Sequence, residues 1–281
     1  MTSMKKNSLK ETSVQIIKST FMLIVALVYV FPIYWALTMS LKRPVDSMAM
    51  PPRWLFVPTF HNYLTVWLKS DFLRYCFNSF VIAVMAMTIG LILAIPAAYI
   101  LARYRPKGDR FLLFAVLSTR IVPQITFMIP FFIFFRRLHL TDTYISVVIM
   151  HLTIILGFGI WMMRSFFLEI PLELEEAALI DGCTYSVAFV RVILPLTGPG
   201  IATTAIFSFN YSWNEFLYAL VLTGMRTKTL PLGVYNWVGY EEIQWGELTA
   251  TAMLAIVPIV LFYTLLQKKL VSGLTMGALK G

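Results

Sequence analysis

Few side chains in this sequence could do chemistry, and most of them interrupt apolar runs. Arg120, Pro123 and Gln124 stand inside one such run; Asn210 and Asn214 stand inside another, with Trp213 beside them and Glu215 near its end. The two asparagines are four residues apart, which puts them on one face of a helix. A polar face in hydrocarbon-like sequence offers hydrogen bonds to a polar ligand, and an indole offers an apolar surface beside it. The same residues serve equally well as interhelical hydrogen bonds that hold a bundle together. Arg120 is the costliest, because a central arginine disfavours membrane insertion by about 2.5 to 3.5 kcal/mol. It should therefore face protein or water, as a translocation-path or gate residue or as a structural pair or headgroup contact.

Reaction chemistry is poorly provided for. His61, His139 and His151 are scattered, and Cys76 and Cys183 fit no metal-site spacing. No nucleophile and base pair is visible, and no G-x-x-x-x-G-K-[ST] phosphate loop occurs. The sequence thus predicts no catalytic residue, no metal site and no cofactor bound by this chain. Ion-coupling carboxylates within apolar runs are nearly absent apart from Glu215 and Glu247, which counts against a self-sufficient secondary carrier.

The elements that must position these residues are membrane helices. Of 281 residues 59% are hydrophobic and only 13% charged, against about 25% in soluble domains. A span needs about 20 apolar residues to cross roughly 30 Å of hydrocarbon. Six segments qualify: 19–41, 78–102, 111–135, 144–163, 200–223 and 248–267. The predicted fold is an all-α membrane protein with six transmembrane helices in one bundle. Residues 1–18 form an N-terminal segment, 19–267 the membrane domain and 268–281 a C-terminal tail. An even span count puts both termini on one side. Lys5, Lys6, Lys10, Lys18, the loop "ARYRPKGDR", Lys268 and Lys269 assign that side to the cytoplasm, with Arg136 and Arg137 against it. The net charge of +9 then meets anionic membrane lipid rather than nucleic acid. The connection 42–77, with "MAMPPRW", reads as an ordered interfacial segment on the outer side.

One stretch breaks the apolar pattern. Between the fourth and fifth spans, 164–199 carries Pro171, Glu173, Glu175 and Glu176, then Asp181 and Gly182, Thr184, and finally Pro195 and Pro199. Pro171 suits a first helical turn and the glutamates suit the positive end of the helix dipole. Asp181 and Gly182 break that helix, Thr184 can cap a second, and the prolines end it. A short helix, a turn and another short helix along the membrane face can be gripped by a partner, or can be only an amphipathic surface element.

The stretch "EEAALIDGCTYSVAFVRVILPLTGP" resembles the EAA loop of permease subunits of ATP-binding cassette importers. Glu176, Ala177, Ala178, Asp181, Gly182, Ile193, Leu194 and Pro195 fall on the motif positions. "NSFVIAV", "AAYILARY", "FSFNYSWNEFLYALVL" and "LVSGLTMGALKG" are similar to the carbohydrate branch, specifically to the second permease of maltose-type systems. The resemblance implies a coupling helix that docks into a cleft of a cytoplasmic ATPase, with Glu176, Ala177, Ala178, Asp181, Gly182 and Pro195 as the coupling residues. It implies a second permease, two ATPase subunits that use ATP and Mg, an extracytoplasmic solute-binding protein, and residence in a bacterial cytoplasmic membrane. Arg120, Gln124, Asn210, Trp213 and Asn214 would lie on the translocation path, the main sugar site of maltose-type systems being in the other permease. The expected cargo is a sugar or sugar-like solute, with a non-sugar solute as the alternative.

Overall fold

A computed structural model describes the backbone of residues 2–104, 106–240 and 242–278, and the side chains of 15–104, 106–240 and 242–265. In chain order the helices are α1 (Thr2–Ser40), α2 (Pro44–Ser47), α3 (His61–Lys69), α4 (Phe72–Arg103), α5 (Asp109–Ser118), α6 (Gln124–Arg137) and α7 (Tyr144–Glu169). They continue with α8 (Glu173–Ile180), α9 (Tyr185–Ala188), a π-helical turn Phe189–Ile193, α10 (Leu194–Leu196), α11 (Gly198–Asn214), α12 (Leu217–Leu222), α13 (Leu230–Tyr235) and α14 (Trp245–Ala278). Among the described residues four segments are long and apolar enough to cross a bilayer: Gln15–Ser40, Phe72–Arg103, Tyr144–Glu169 and Trp245–Leu265. The segments Tyr185–Leu196 and Gly198–Asn214, bent by 72°, make a fifth if counted as one.

Two compact units form, Met1–Ser70 with Trp237–Leu254, and Asp71–Asn236 with Ala255–Gly281. In the first, the long connection after α1 carries α2 and α3 and is tied back to the end of α1. The buried Asn62 donates to the carbonyls of Ser40 and Lys42, both at 2.8 Å. Lys42 lies 5.1 Å from the ring centres of both Trp35 and Phe56, a cation–π arrangement that offsets the burial of its ammonium.

The second unit is built on α4 against α7. Ala86, Gly90, Ala94 and Ala98 recur every four residues along α4 and are buried, a small-residue stripe that lets two membrane helices approach closely. A Cβ on Gly90 would stand 2.5 Å from Ile155 Cγ2 of α7. Asp142, between α6 and α7, latches onto the loop after α12. Its carboxylate accepts the backbone N–H groups of Gly224 (2.9 Å), Arg226 (3.2 Å) and Thr227 (2.9 Å) and the Thr227 hydroxyl (2.7 Å). Burial alone would raise its pKa; these hydrogen bonds outweigh that and bring it to about 2.

The third and fifth expected spans are not continuous helices. Residues 111–135 divide into α5 and α6. Arg120 and Ile121 turn back on Leu117 and Ser118 through i→i+3 bonds, and Pro123, which has no N–H, adopts extended ψ before α6. In 200–223, Glu215 is extended between α11 and α12. Its carboxylate accepts the N–H groups of Tyr218 (2.8 Å) and Ala219 (3.2 Å), satisfying the first turn of α12. Of the predicted tail, the backbone continues α14 to Ala278; its side chains and residues 279–281 lie outside the described residues.

Candidate functional site

Two places gather the residues singled out by the sequence. The first is the segment 170–197. Pro171 stops α7 instead of opening α8, since a proline just past a helix end cannot continue it, and α8 starts two residues later. Glu173, Glu175 and Glu176 then fall in the first turn of α8 as predicted. At its other end Gly182 has φ +88°. The Gly182 N–H reaches Leu179 O at 3.1 Å and the Cys183 N–H reaches Ala178 O at 3.0 Å, a Schellman closure that needs the left-handed residue. Thr184 occupies the N-cap position of α9 with extended backbone, though its hydroxyl makes no capping bond. Pro195 cannot donate to Arg191 O, and the backbone just before it widens into the π turn, with Leu194 N–H bonded to Phe189 O. Pro199 sits in the first turn of α11 and so opens that helix, a correction to its reading as a terminator.

The residues expected to couple divide by exposure. Glu176, Ala177, Asp181, Gly182 and Pro195 are exposed, together with Ile180 at 86% and Tyr185 at 58%, while Ala178 faces inward. The exposed set mixes carboxylates with large apolar side chains.

Apolar packing of Phe189 and Ile193 on Tyr99, Met163 and Phe167 ties this segment to the bundle, and a polar tie is added by Glu175, which the motif did not single out. It is buried, accepts a hydrogen bond from the Tyr99 hydroxyl, and lies 3.2 Å from Arg103 Nε, an ion pair without hydrogen-bond alignment. Arg103 also donates to Ile170 O at 3.0 Å. Tyr99 and Arg103 are four apart at the end of α4, hence on one face. Both side chains of the ion pair are less than a tenth exposed. Beside them a cleft of about 560 Å³ opens between Ala102, Arg103 and residues 168–173.

The second place is a cleft of about 220 Å³ lined by Arg120, Phe158, Phe207, Ser208, Asn210 and Tyr211. Arg120 lies 5.2 Å from the Phe158 ring centre. Gln124 does not line the cleft but donates to the Tyr211 hydroxyl at 2.7 Å. Asn214 is exposed and donates to Asn210 O (2.8 Å) and Oδ1 (3.1 Å), so the asparagine pair is bonded to itself along one helix. Trp213 does not join them: it is 3% exposed and stacks on Phe209 at 5.6 Å, which stacks on Phe262 at 4.0 Å. His151, one of three histidines that looked scattered, is fully buried on α7. Its Nδ1 is 2.7 Å from Ser212 Oγ and its Nε2 3.2 Å from Glu215 Oε2. Sequence separations above 60 residues hid that contact.

Comparison with known proteins agrees with this architecture. Residues 90–275 match the family model for the inner membrane component of binding-protein-dependent transport systems. A probable ABC transporter permease, y4oR of Sinorhizobium fredii, is 36% identical over 96% of this chain and 97% of its own length. The sulfoquinovosyl glycerol transport system permease SmoH of Agrobacterium fabrum is 33% identical over 89% of each chain. Among solved structures, a bacterial ABC transporter involved in the import of the acidic polysaccharide alginate matches with a TM-score of 0.72. It is 27% identical, and the match covers 90% of this chain and 95% of that one. With its apolar helices, its exposed acidic segment and a family match over most of its length, this chain belongs to the inner membrane components of binding-protein-dependent transport systems, as an ABC transporter permease.

Proposed function

We propose that this chain is one permease subunit of an ATP-driven importer for a sugar or sugar-like solute, in which α8 and its flanking turns couple ATPase closure to alternating access. The observation that carries this reading is the buried link from Glu175 to Tyr99 and Arg103. It joins an exposed, partner-ready segment to the end of a helix 32 residues long. A push on α8 therefore reaches α4 through a charge pair and a hydrogen bond, not through a slack loop. The sugar class is supported by relatives named for sulfoquinovosyl glycerol, trehalose and diacetylchitobiose.

The remaining subunits follow from this role. A second permease completes the pathway, two ATPase subunits bind ATP and Mg and hydrolyse the nucleotide, and an extracytoplasmic binding protein delivers the solute. This chain has no catalytic step of its own. It lies in the bacterial cytoplasmic membrane with both termini and the 164–199 segment cytoplasmic. The coupling role is tested on the purified complex in nanodiscs, with subunit stoichiometry, solute-stimulated ATPase and uptake measured together. Glu176→Lys should uncouple hydrolysis from uptake or release the ATPase, because an exposed acidic group at a docking face meets a basic one and reversal makes attraction into repulsion. Wild-type values of all three would sink the reading.

A further inference from the structure

The permease reading leaves the charge of the solute open, and the surroundings of Arg120 bear on it. Arg120 lies in the turn between α5 and α6, an exposed position between Thr119 and Ile121. Among the described residues no Asp or Glu is within ion-pair reach of it. An intramembrane cation normally finds a counter-charge or a polar cavity, and what this one faces is the 220 Å³ cleft beside Phe158.

The same cleft holds a second unmet donor. Ser208 is 1% exposed, and its hydroxyl has no hydrogen-bond partner. Serine and threonine within helices commonly return the hydroxyl proton to a carbonyl one turn back. On the same helix Thr203 and Thr204 do so, to Pro199 O at 2.9 Å and Gly200 O at 2.8 Å. Ser208 does not, and an orphaned buried hydroxyl is costly unless something else accepts from it.

A cation without a carboxylate and a buried donor without an acceptor thus converge on a hollow edged by Phe158 and Phe207. Building on the sugar-permease reading, we infer that this cleft is a transit subsite for the anionic group of an acidic sugar, a carboxylate or a sulfonate. Arg120 supplies charge-assisted hydrogen bonds, for which its planar fork is suited, Ser208 supplies a neutral one, and the phenyl rings flank the sugar. A neutral sugar of the same shape leaves the guanidinium without a counter-charge, which disfavours its passage relative to the acidic one.

The test uses the full importer, with both permeases, the ATPases and the cognate binding protein, in proteoliposomes. The acidic probes are digalacturonate and sulfoquinovosyl glycerol. The uncharged probes are the methyl ester of digalacturonate, maltose and trehalose. At least one acidic probe should be taken up about tenfold or more faster than every uncharged one. Arg120→Gln should lower that uptake about tenfold or more, the scale set by one lost charge-assisted bond, and Arg120→Lys should recover part of it. Equal loss of charged and uncharged probes in Arg120→Gln would overturn the subsite. So would loss of the partner permease from the purified Arg120→Gln complex, since the cation would then be pairing across subunits. Uptake of uncharged sugars alone overturns the subsite but leaves the sugar-permease reading standing; uptake of no sugar in the panel overturns both.

Discussion

Three glutamates fall within four positions of α8, and only one of them is buried. Glu175 differs from Glu173 and Glu176 in what α4 brings to it, Tyr99 and Arg103, from more than 70 residues away in sequence. Local pattern therefore revealed an acidic first turn but not which carboxylate carries the link. Removing one partner of a buried pair leaves the other charge unpaired, a loss of about 3 to 5 kcal/mol. Glu175→Ala should accordingly lower the thermal midpoint of the purified complex and its solute-stimulated ATPase, whereas the exposed Glu173→Ala should change neither. Equal effects of the two would remove Glu175 from the coupling path. Gly182 was legible as a turn residue, and the structure supplies the reason: its φ of +88°, with nothing within 4 Å of an added Cβ. Gly182→Leu should therefore act through left-handed strain of about 1 to 2 kcal/mol and any clash with a docked ATPase, leaving the spans inserted while ATPase stimulation and uptake part company. Coupled, wild-type transport by this variant would separate the turn from force transmission.

Among the elements, the α4 and α7 pair rests on small residues rather than large ones. Gly90→Val puts a branched side chain where a Cβ already stands 2.5 Å from Ile155, and overpacking of this kind costs about 1 to 3 kcal/mol. Its thermal midpoint should fall, and the double variant with Ile155→Ala should regain part of the loss; no recovery would mean the close approach is not what fixes the pair. The latch at Asp142 makes a prediction in pH. Its folded pKa is depressed from 3.8 to about 2, so its stabilisation is complete above the ordinary carboxylate value and fades as pH falls through the folded one. The midpoint difference between wild type and Asp142→Asn should be constant from neutral pH to about 5 and shrink progressively as pH falls toward 2; a difference that has already vanished at pH 5 would contradict the latch. Helix breaks were the least legible feature. Pro123 and Arg120 were visible warnings in the third segment, but length and hydropathy argued for one span. Glu215 gave no sign that it would cap α12, because that depends on backbone geometry rather than composition.

For the whole molecule, the acidic segment and the basic N-terminus set an expected orientation. Reporter fusions after Lys10 and after Gly182 should read cytoplasmic and one after Val57 external, and an external signal at Gly182 would overturn the coupling assignment. The all-helical class was legible because apolar length is a one-dimensional property. The pairing of elements was not, because it rests on contacts such as His151 with Glu215 that are distant in sequence. The two helix breaks, finally, have a kinetic consequence. Beyond them α6 and α12 join one apolar cluster with α4 and α7, in which Phe135, Tyr218 and Leu222 pack with Ile82, Ala86, Val147, Val148, Met150 and Ile155. Because Pro123 carries no N–H and Glu215 caps the first turn of α12, displacing either short helix would break side-chain packing against α4 and α7 rather than melt a helical turn. A rearrangement limited by such repacking belongs to microseconds or milliseconds, faster than the roughly 10 turnovers per second that is the median for enzymes.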